Sequence, residues 1–540
     1  MTLTQQRFFR SALILCIAVA MARPIAQAAI YQYAVPVAQR TAYLWVPPAC
    51  HEVRGVAIAM ANLTERQWLE DPIVRKAAAD ECLGILWLGP GDESVVNAEM
   101  KPGSGEALTR MLQDLATQSG FPELAFAPVI AMGHSAHGNF SWRFAEWAPE
   151  RTIAAMPIKT YPLPPEIKLH GVPMLYAVGE TTEWPQYRDG SRPGDRDFFW
   201  PVVRETALAL RTEDPHNLIG VAIDAGGGHF DWSNGLAKLV AANIRAVCKL
   251  RLPPHASKTG PVKLRPIPIE QGWLIDTSGM QPDRFPPAPY TKYRGNRTQA
   301  YWFPDRATAM EAMSLQGDRK RRQVQMVTLL QDGKPLPVAT IGYAPLRFEP
   351  EHDGISFTVQ GAFLSELPKE LVGAGTPLGH APVPIRFRAI SGPIEQTGPA
   401  QFRVAMGRGD TGGEAWIDIE ADGDASYRRA VQPARVIIPA KLTDGEPQSI
   451  HFAPIPDRKA SAGAIALQAT STSGLPVRFY VLSGPAEVEG SELRIADLPQ
   501  GGSATTEVSV VAYQWGQSAG AGRQAVQTAE PITQRFRITR

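Results

Sequence analysis

The stretch "APVIAMGHSAHGNFSWRFAEW", residues 127–147, decides how the N-terminal half is read. An apolar run ends in Gly133-His134-Ser135, and a helical pattern follows in which Phe140, Phe144 and Trp147 share one face. Strand, tight turn and helix in that order lift a serine out of a sheet edge, where it can act as a nucleophile. A serine hydroxyl is a poor nucleophile near neutral pH. Ser135 therefore needs a histidine to take its proton and a carboxylate to orient that histidine.

The flanking sequence is consistent with this. From Ile30 to about Leu252, apolar runs alternate with helical stretches, the pattern of an α/β sheet. The strand candidates are "YQYAVPV", "AYLWVP", "GVAIAMA", "GILWLG", "APVIAMG", "TIAAMPI", "PMLYAVG" and "LIGVAID". Residues 64–82 and 104–118 read as helices, and Leu236, Val240, Ile244 and Val247 mark one face of the last helix. After Leu252 the chain turns proline-rich, which predicts a linker or packing segment over 256–322. From about Gln323, short alternating runs separated by Gly, Pro, Asp and Ser predict all-β structure.

An internal repeat refines the second half. "PIRFRAISGP" at 384–393 and "PVRFYVLSGP" at 476–485 share Pro, Arg, Phe, Ser, Gly and Pro at an offset of 92 residues. That period fits one immunoglobulin-like sandwich, so two tandem sandwiches are expected, over 323–450 and 451–540. The last of these resembles the immunoglobulin-like repeats of secreted bacterial surface proteins.

With "GHSAHG" and "ANLTERQWLEDPIVRKAAADECLGILWLGPG" in place, residues 30–252 resemble the α/β-hydrolase superfamily, and within it the secreted bacterial serine esterases. The resemblance implies an eight-stranded, mostly parallel sheet over a catalytic domain spanning 29–255, with triad order serine, acid, histidine. It assigns Ser135 as nucleophile. It points to His229, in "AIDAGGGHFDWSNG" after the last strand, as base, the three glycines letting that loop come close to the serine. The acid should follow "PMLYAVGETTEW": Glu183 is preferred and Glu180 is the second candidate, while Asp231 adjoins His229 too closely to orient its ring. Ala136 and a backbone N–H of Asn62 or Leu63 would form the oxyanion hole. His134, Trp184 and Trp232 are expected to line the substrate pocket, and His137 to pack under the turn. One departure from the family motif is His137, standing where a small residue is usual; glycine comes only at Gly138. The resemblance also brings the strands after Cys50 and Cys82 side by side, so these two are expected to be joined, leaving Cys248 free.

Composition narrows the function. The 54 basic and 53 acidic residues give no electrostatic footprint for nucleic acid. No CxxC pair, HExxH or nucleotide-binding glycine motif is present, so no cofactor is implied. Residues 1–28 carry Arg7 and Arg10, the apolar run "SALILCIAVAMA" and Ala26-Gln27-Ala28, the layout of a cleaved signal peptide too short for a membrane span. The expected protein is therefore a secreted or periplasmic carboxylic-ester hydrolase, its substrate an esterified polysaccharide or a polyester. Its rivals are a serine peptidase and a non-catalytic surface-binding protein on the same fold. On this reading a chain ended near Arg322 keeps its turnover of small esters, and activity falls as pH drops through about 6 to 7.

Overall fold

Strands buried on both faces read as continuous apolar runs, and those of the N-terminal half assemble into one sheet. They are β1 (Tyr33–Val37), β2 (Arg40–Trp45), β3 (Gly55–Met60), β4 (Leu83–Leu88), β5 (Val129–Ser135), β6 (Thr152–Thr160), β7 (Met174–Gly179) and β8 (Ile219–Asp224). Their order is β1-β2-β4-β3-β5-β6-β7-β8. The β1–β2 and β2–β4 pairs are antiparallel, and the remaining neighbours run parallel. This is the α/β-hydrolase fold. The structure, a computed structural model, describes residues 30–180, 199–277, 284–317, 322–337, 342–369, 374–410, 412–520 and 522–540.

The stretch read as one helix over 64–82 is two, α1 (Glu65–Glu70) and α2 (Pro72–Asp80). Proline lacks an N–H and is at home in a first helical turn, so the chain restarts at Pro72. Asp71 caps the new helix, its Oδ1 accepting from the Ile73 N–H at 2.7 Å. The other helices of this half are α3 (Ser104–Ser119), α4 (Asn139–Trp147), α5 (Phe199–Glu213) and α6 (Asn234–Arg251). Among the described residues no helix is long and apolar enough to cross a membrane.

Cys50 and Cys82 form a disulfide with Cα atoms 5.7 Å apart, and Cys248 is free and buried on α6. The bridge joins the approaches to β3 and β4, which pair in parallel.

The segment 256–322 does more than link. It contains an antiparallel sheet of β9 (Trp273–Asp276), β10 (Ala288–Pro289) and β11 (Ala300–Phe303), followed by α7 (Arg306–Gly317). Ile275, Tyr301, Phe303, Ala309 and Leu315 enter the same apolar core as β6, β7 and β8. The prolines shape the approach, while the short apolar runs "WLID" and "AYWF" give the segment a face to bury.

The second half is all-β. A four-stranded sheet (Ala344–Arg347, Ala430–Ile437, Glu414–Ala421 and Ile385–Ser391) and two three-stranded sheets share a core that includes Leu329, Phe402, Ile417 and Val436. A second such unit is built on Leu493, Val508, Val510 and Ile538. The sequence repeat has a structural counterpart. Its two copies are the strands Ile385–Ser391 and Arg478–Ser483, each with a register shift at the same place and each followed by a left-handed glycine, Gly392 (φ +88°) and Gly484 (φ +113°). The units are not separate, however: Trp515, from the second, is buried in the core of the first.

Candidate active site

Ser135 ends β5 and has φ +50°, a left-handed conformation that costs a non-glycine residue about 1–3 kcal/mol. The turn persists because its neighbours leave no alternative. A Cβ on Gly133 would lie 2.1 Å from the His137 carbonyl oxygen, and one on Gly138 would lie 2.0 Å from Thr160 Oγ1. The small residue that the turn demands after the serine is thus Gly138, one place later than the family motif puts it. His137 does not pack beneath the turn but reaches Glu93, Nε2 to Oε1 2.8 Å. Thr160 hydrogen-bonds the Ser135 carbonyl, and Tyr176 donates to the Thr160 carbonyl at 2.5 Å.

His229 lies on the loop between β8 and α6, and its Nε2 is 2.9 Å from Ser135 Oγ. Beneath it is His134, buried, its Nε2 2.7 Å from the His229 carbonyl oxygen and its ring centroid 4.9 Å from the His229 ring. The expectation that His134 lines the pocket gives way to a supporting position under the loop. Burial drives the His134 pKa well below the imidazole value, with the His229 charge adding to the effect, which keeps the ring neutral and able to donate. Burial, helped by the Lys159 ammonium and opposed by Asp231, pushes His229 down to about 3.

The carboxylates divide the space around this loop. Asp231 accepts through Oδ1 from the Gly228 N–H (2.6 Å) and from Lys159 Nζ (2.9 Å), and through Oδ2 from Arg429 (2.7 Å). Burial raises its pKa, but Lys159 and Arg429 outweigh that and hold it below the ordinary carboxylate value. Asp224, at the end of β8, pairs with Lys159 at 2.9 Å and Arg429 at 3.0 Å. Glu180 accepts from the Gly226 N–H at 2.7 Å through Oε2 and pairs with Arg428 through Oε1. Glu183 and Trp184 lie outside the described residues.

The expected second oxyanion donors need correction. The N–H groups of Asn62 and Leu63 both donate to Glu65 Oε2, at 3.0 and 2.8 Å. Glu65 is fully buried, and burial raises its pKa. Ala136 is exposed at the first position of a 3₁₀ turn, Ala136–Gly138, where backbone N–H groups have no partner within the helix. Trp232 does not line the pocket either. It is buried, stacked on Trp68 at 5.5 Å, and donates its indole N–H to Asp71 Oδ2 at 2.9 Å.

Sequence reasoning missed the part the first sandwich plays. Phe230, next to His229, packs on Trp416 with ring centroids 4.6 Å apart and on Tyr343 at 6.1 Å. Arg388 donates to the Trp232 carbonyl at 3.0 Å. Between the Asn62-Leu63 loop and this sandwich lies a cleft of about 330 Å³, its walls including Arg66, Trp87, Ser391, Asp410, Glu414 and Trp416. Contacts between residues so far apart along the chain leave no local pattern to read.

On this α/β-hydrolase fold, a strained serine at the carboxyl end of a central strand and a buried histidine on its hydroxyl are the candidate nucleophile and base. Neither a scan of protein-family models nor a search of curated proteins finds a match. Among solved structures the chain is similar to an S-formylglutathione hydrolase from Agrobacterium tumefaciens (16% identity, TM-score 0.28, covering 40% of this chain and 93% of that one). It is likewise similar to LpqC, a poly(3-hydroxybutyrate) depolymerase from Bordetella parapertussis (16%, TM-score 0.27, 42% and 92%). A third is the siderophore hydrolase EstA from Aspergillus nidulans (10%, TM-score 0.30, 45% and 99%). The fold is defined by the strand order itself and not by these likenesses.

Proposed function

We propose that the protein is a serine hydrolase that cleaves carboxylic esters through an acyl-enzyme and acts outside the cytoplasm. The observation that carries this is the 2.9 Å contact between Ser135 Oγ and His229 Nε2 at a turn that exposes the serine. Ser135 attacks the ester carbonyl carbon while its proton passes to His229, and the N–H of Ala136 stabilises the oxyanion. Collapse expels the alcohol, which takes the proton from His229. Water then repeats the sequence and releases the acid. An ester of a polysaccharide or a polyester is the substrate class proposed, and the Cys50–Cys82 bridge suits an oxidising compartment.

For the orienting acid we favour Glu183, because Glu180 is engaged by Gly226 and Arg428. Glu183→Gln is expected to lower kcat about 10⁴-fold, as in triads whose carboxylate is neutralised. Glu180→Gln, which weakens an anchor, should cost far less. Steady-state kinetics on a p-nitrophenyl ester decide between them, and the reverse ranking transfers the role to Glu180. The same purified protein should leave peptide anilides intact; faster turnover of anilides than of esters would make it a peptidase.

The pH profile follows from the burial of His229. The base must be neutral to accept the serine proton, and burial with the Lys159 charge lowers its pKa to about 3. Activity is therefore kept as pH falls through the ordinary imidazole range and lost only at more acidic pH. We expect kcat/KM at pH 5 to stay close to its value at pH 7, in place of the fall between about 6 and 7 that an unperturbed imidazole would give. An acid limb at 6.5 or above would show that the carboxylate partner overrides burial.

A further inference from the structure

We infer that Arg429, from the first β-sandwich, is a positioning residue for His229, which makes that sandwich a working part of the active site and not an appended module. The inference rests on the Ser135–His229 reading above. His229 sits midway along the loop from β8 to α6, and the loop has two acidic feet, Asp224 before the histidine and Asp231 after it. One nitrogen of Arg429, Nη2, is 3.0 Å from Asp224 Oδ1 and 2.7 Å from Asp231 Oδ2. Lys159 Nζ, on β6, grips the same two carboxylates from the hydrolase side, at 2.9 Å each. The two carboxylates are fully buried and are matched by two cations, so each cation is needed to balance the cluster.

The loop is moulded to its visitor. A Cβ on Gly226, where φ is +71°, would lie 2.1 Å from the Arg429 carbonyl oxygen, and one on Gly227 would lie 2.6 Å from Arg429 Nη2. In "AGGGH", read from the sequence as room for the approach to the serine, Gly226 and Gly227 are also where the sandwich comes close. The neighbouring Arg428 pairs with Glu180, which in turn holds the Gly226 N–H. Two consecutive arginines thus fix the end of β7 and both feet of the histidine loop. Lys159 ties the cluster only to β6, and without Arg429 the Asp231 Oδ2 and Asp224 Oδ1 contacts that hold the loop against the sandwich are lost. The imidazole is then less firmly placed relative to Ser135 Oγ, and a misplacement of about 1 Å costs about 100-fold in rate.

The test uses the full chain. On a small soluble ester, Arg429→Ala is expected to lower kcat about 100-fold with KM within about threefold, and Arg429→Lys, which keeps a cation but on a stem one atom shorter, about tenfold. Arg386→Gln, in an exposed pair with Asp422 on the same sandwich, controls for a change of charge and should match the unmodified chain. Thermal melts identify variants that are folded; if Arg429→Ala is not, Arg429→Lys is judged alone by the same measure. A folded Arg429 variant with unchanged kcat, or a loss confined to KM, overturns the inference. The rate at which a fluorophosphonate labels Ser135 separates the two layers of the account. An unmodified chain that never labels defeats the hydrolase reading, whereas an unmodified chain that labels no faster than Arg429→Ala defeats the positioning role alone.

Discussion

Ser135→Ala and His229→Ala are each expected to lower kcat for short-chain aryl esters by at least about 10⁴-fold, and by as much as about 10⁶-fold, with the fold intact. The two side chains act as one unit. Without His229 the serine keeps its proton, and without Ser135 the imidazole has no nucleophile to activate. The double variant should therefore be no worse than either single one. Both side chains are held by neighbours that do not depend on them: the turn at residue 135 by Gly133, Gly138 and Thr160, and the loop by Asp224, Asp231 and Lys159. Melting temperature should change little. Retained turnover in either variant, in protein free of contaminating esterase, would remove the pair from the mechanism.

A chain ended at Arg322 is expected to lose ester hydrolysis altogether, the second large effect. Truncation removes Arg429 and Arg428 from three buried carboxylates, Asp224, Asp231 and Glu180. It also uncovers Phe230, which packs on Trp416 and Ile390. Breaking a buried ion pair by removing one partner costs about 3–5 kcal/mol, and two such losses rival the whole stability of a domain, about 5–15 kcal/mol. The shortened chain should then be unfolded or inert. Circular dichroism with a p-nitrophenyl ester assay checks this, and a shortened chain that is folded and fully active would return the sandwiches to the status of separate modules.

How much could be read from the sequence differs between fold and site. Most of the eight strands were legible because strands buried on both faces are bounded apolar runs, and the repeat in the second half was legible because its glycines and prolines serve the same bulge and turn twice. His229 could be found from its place between the last strand and the last helix. The break at Pro72 was visible but overridden by the apolar pattern on either side of it. The glycines at 226 and 227 were read as room for the approach to the serine and their further neighbour, the sandwich, was not legible, since a glycine says that something comes close but not what. Lys159, Arg428 and Arg429 carried no signal: a buried lysine in "PIKTYP" and a pair of arginines in "SYRRAV" look like ordinary solvated charges until the fold brings them to Asp224, Asp231 and Glu180.

The proposed function makes Ser135 a nucleophile activated by His229. Its most direct test is to treat the purified full-length protein with a fluorophosphonate probe and locate the modified residue by peptide mass spectrometry. One stoichiometric adduct is expected, on Ser135, absent from Ser135→Ala and formed far more slowly in His229→Ala. No adduct on the folded protein, or an adduct on another serine that survives Ser135→Ala, would contradict it.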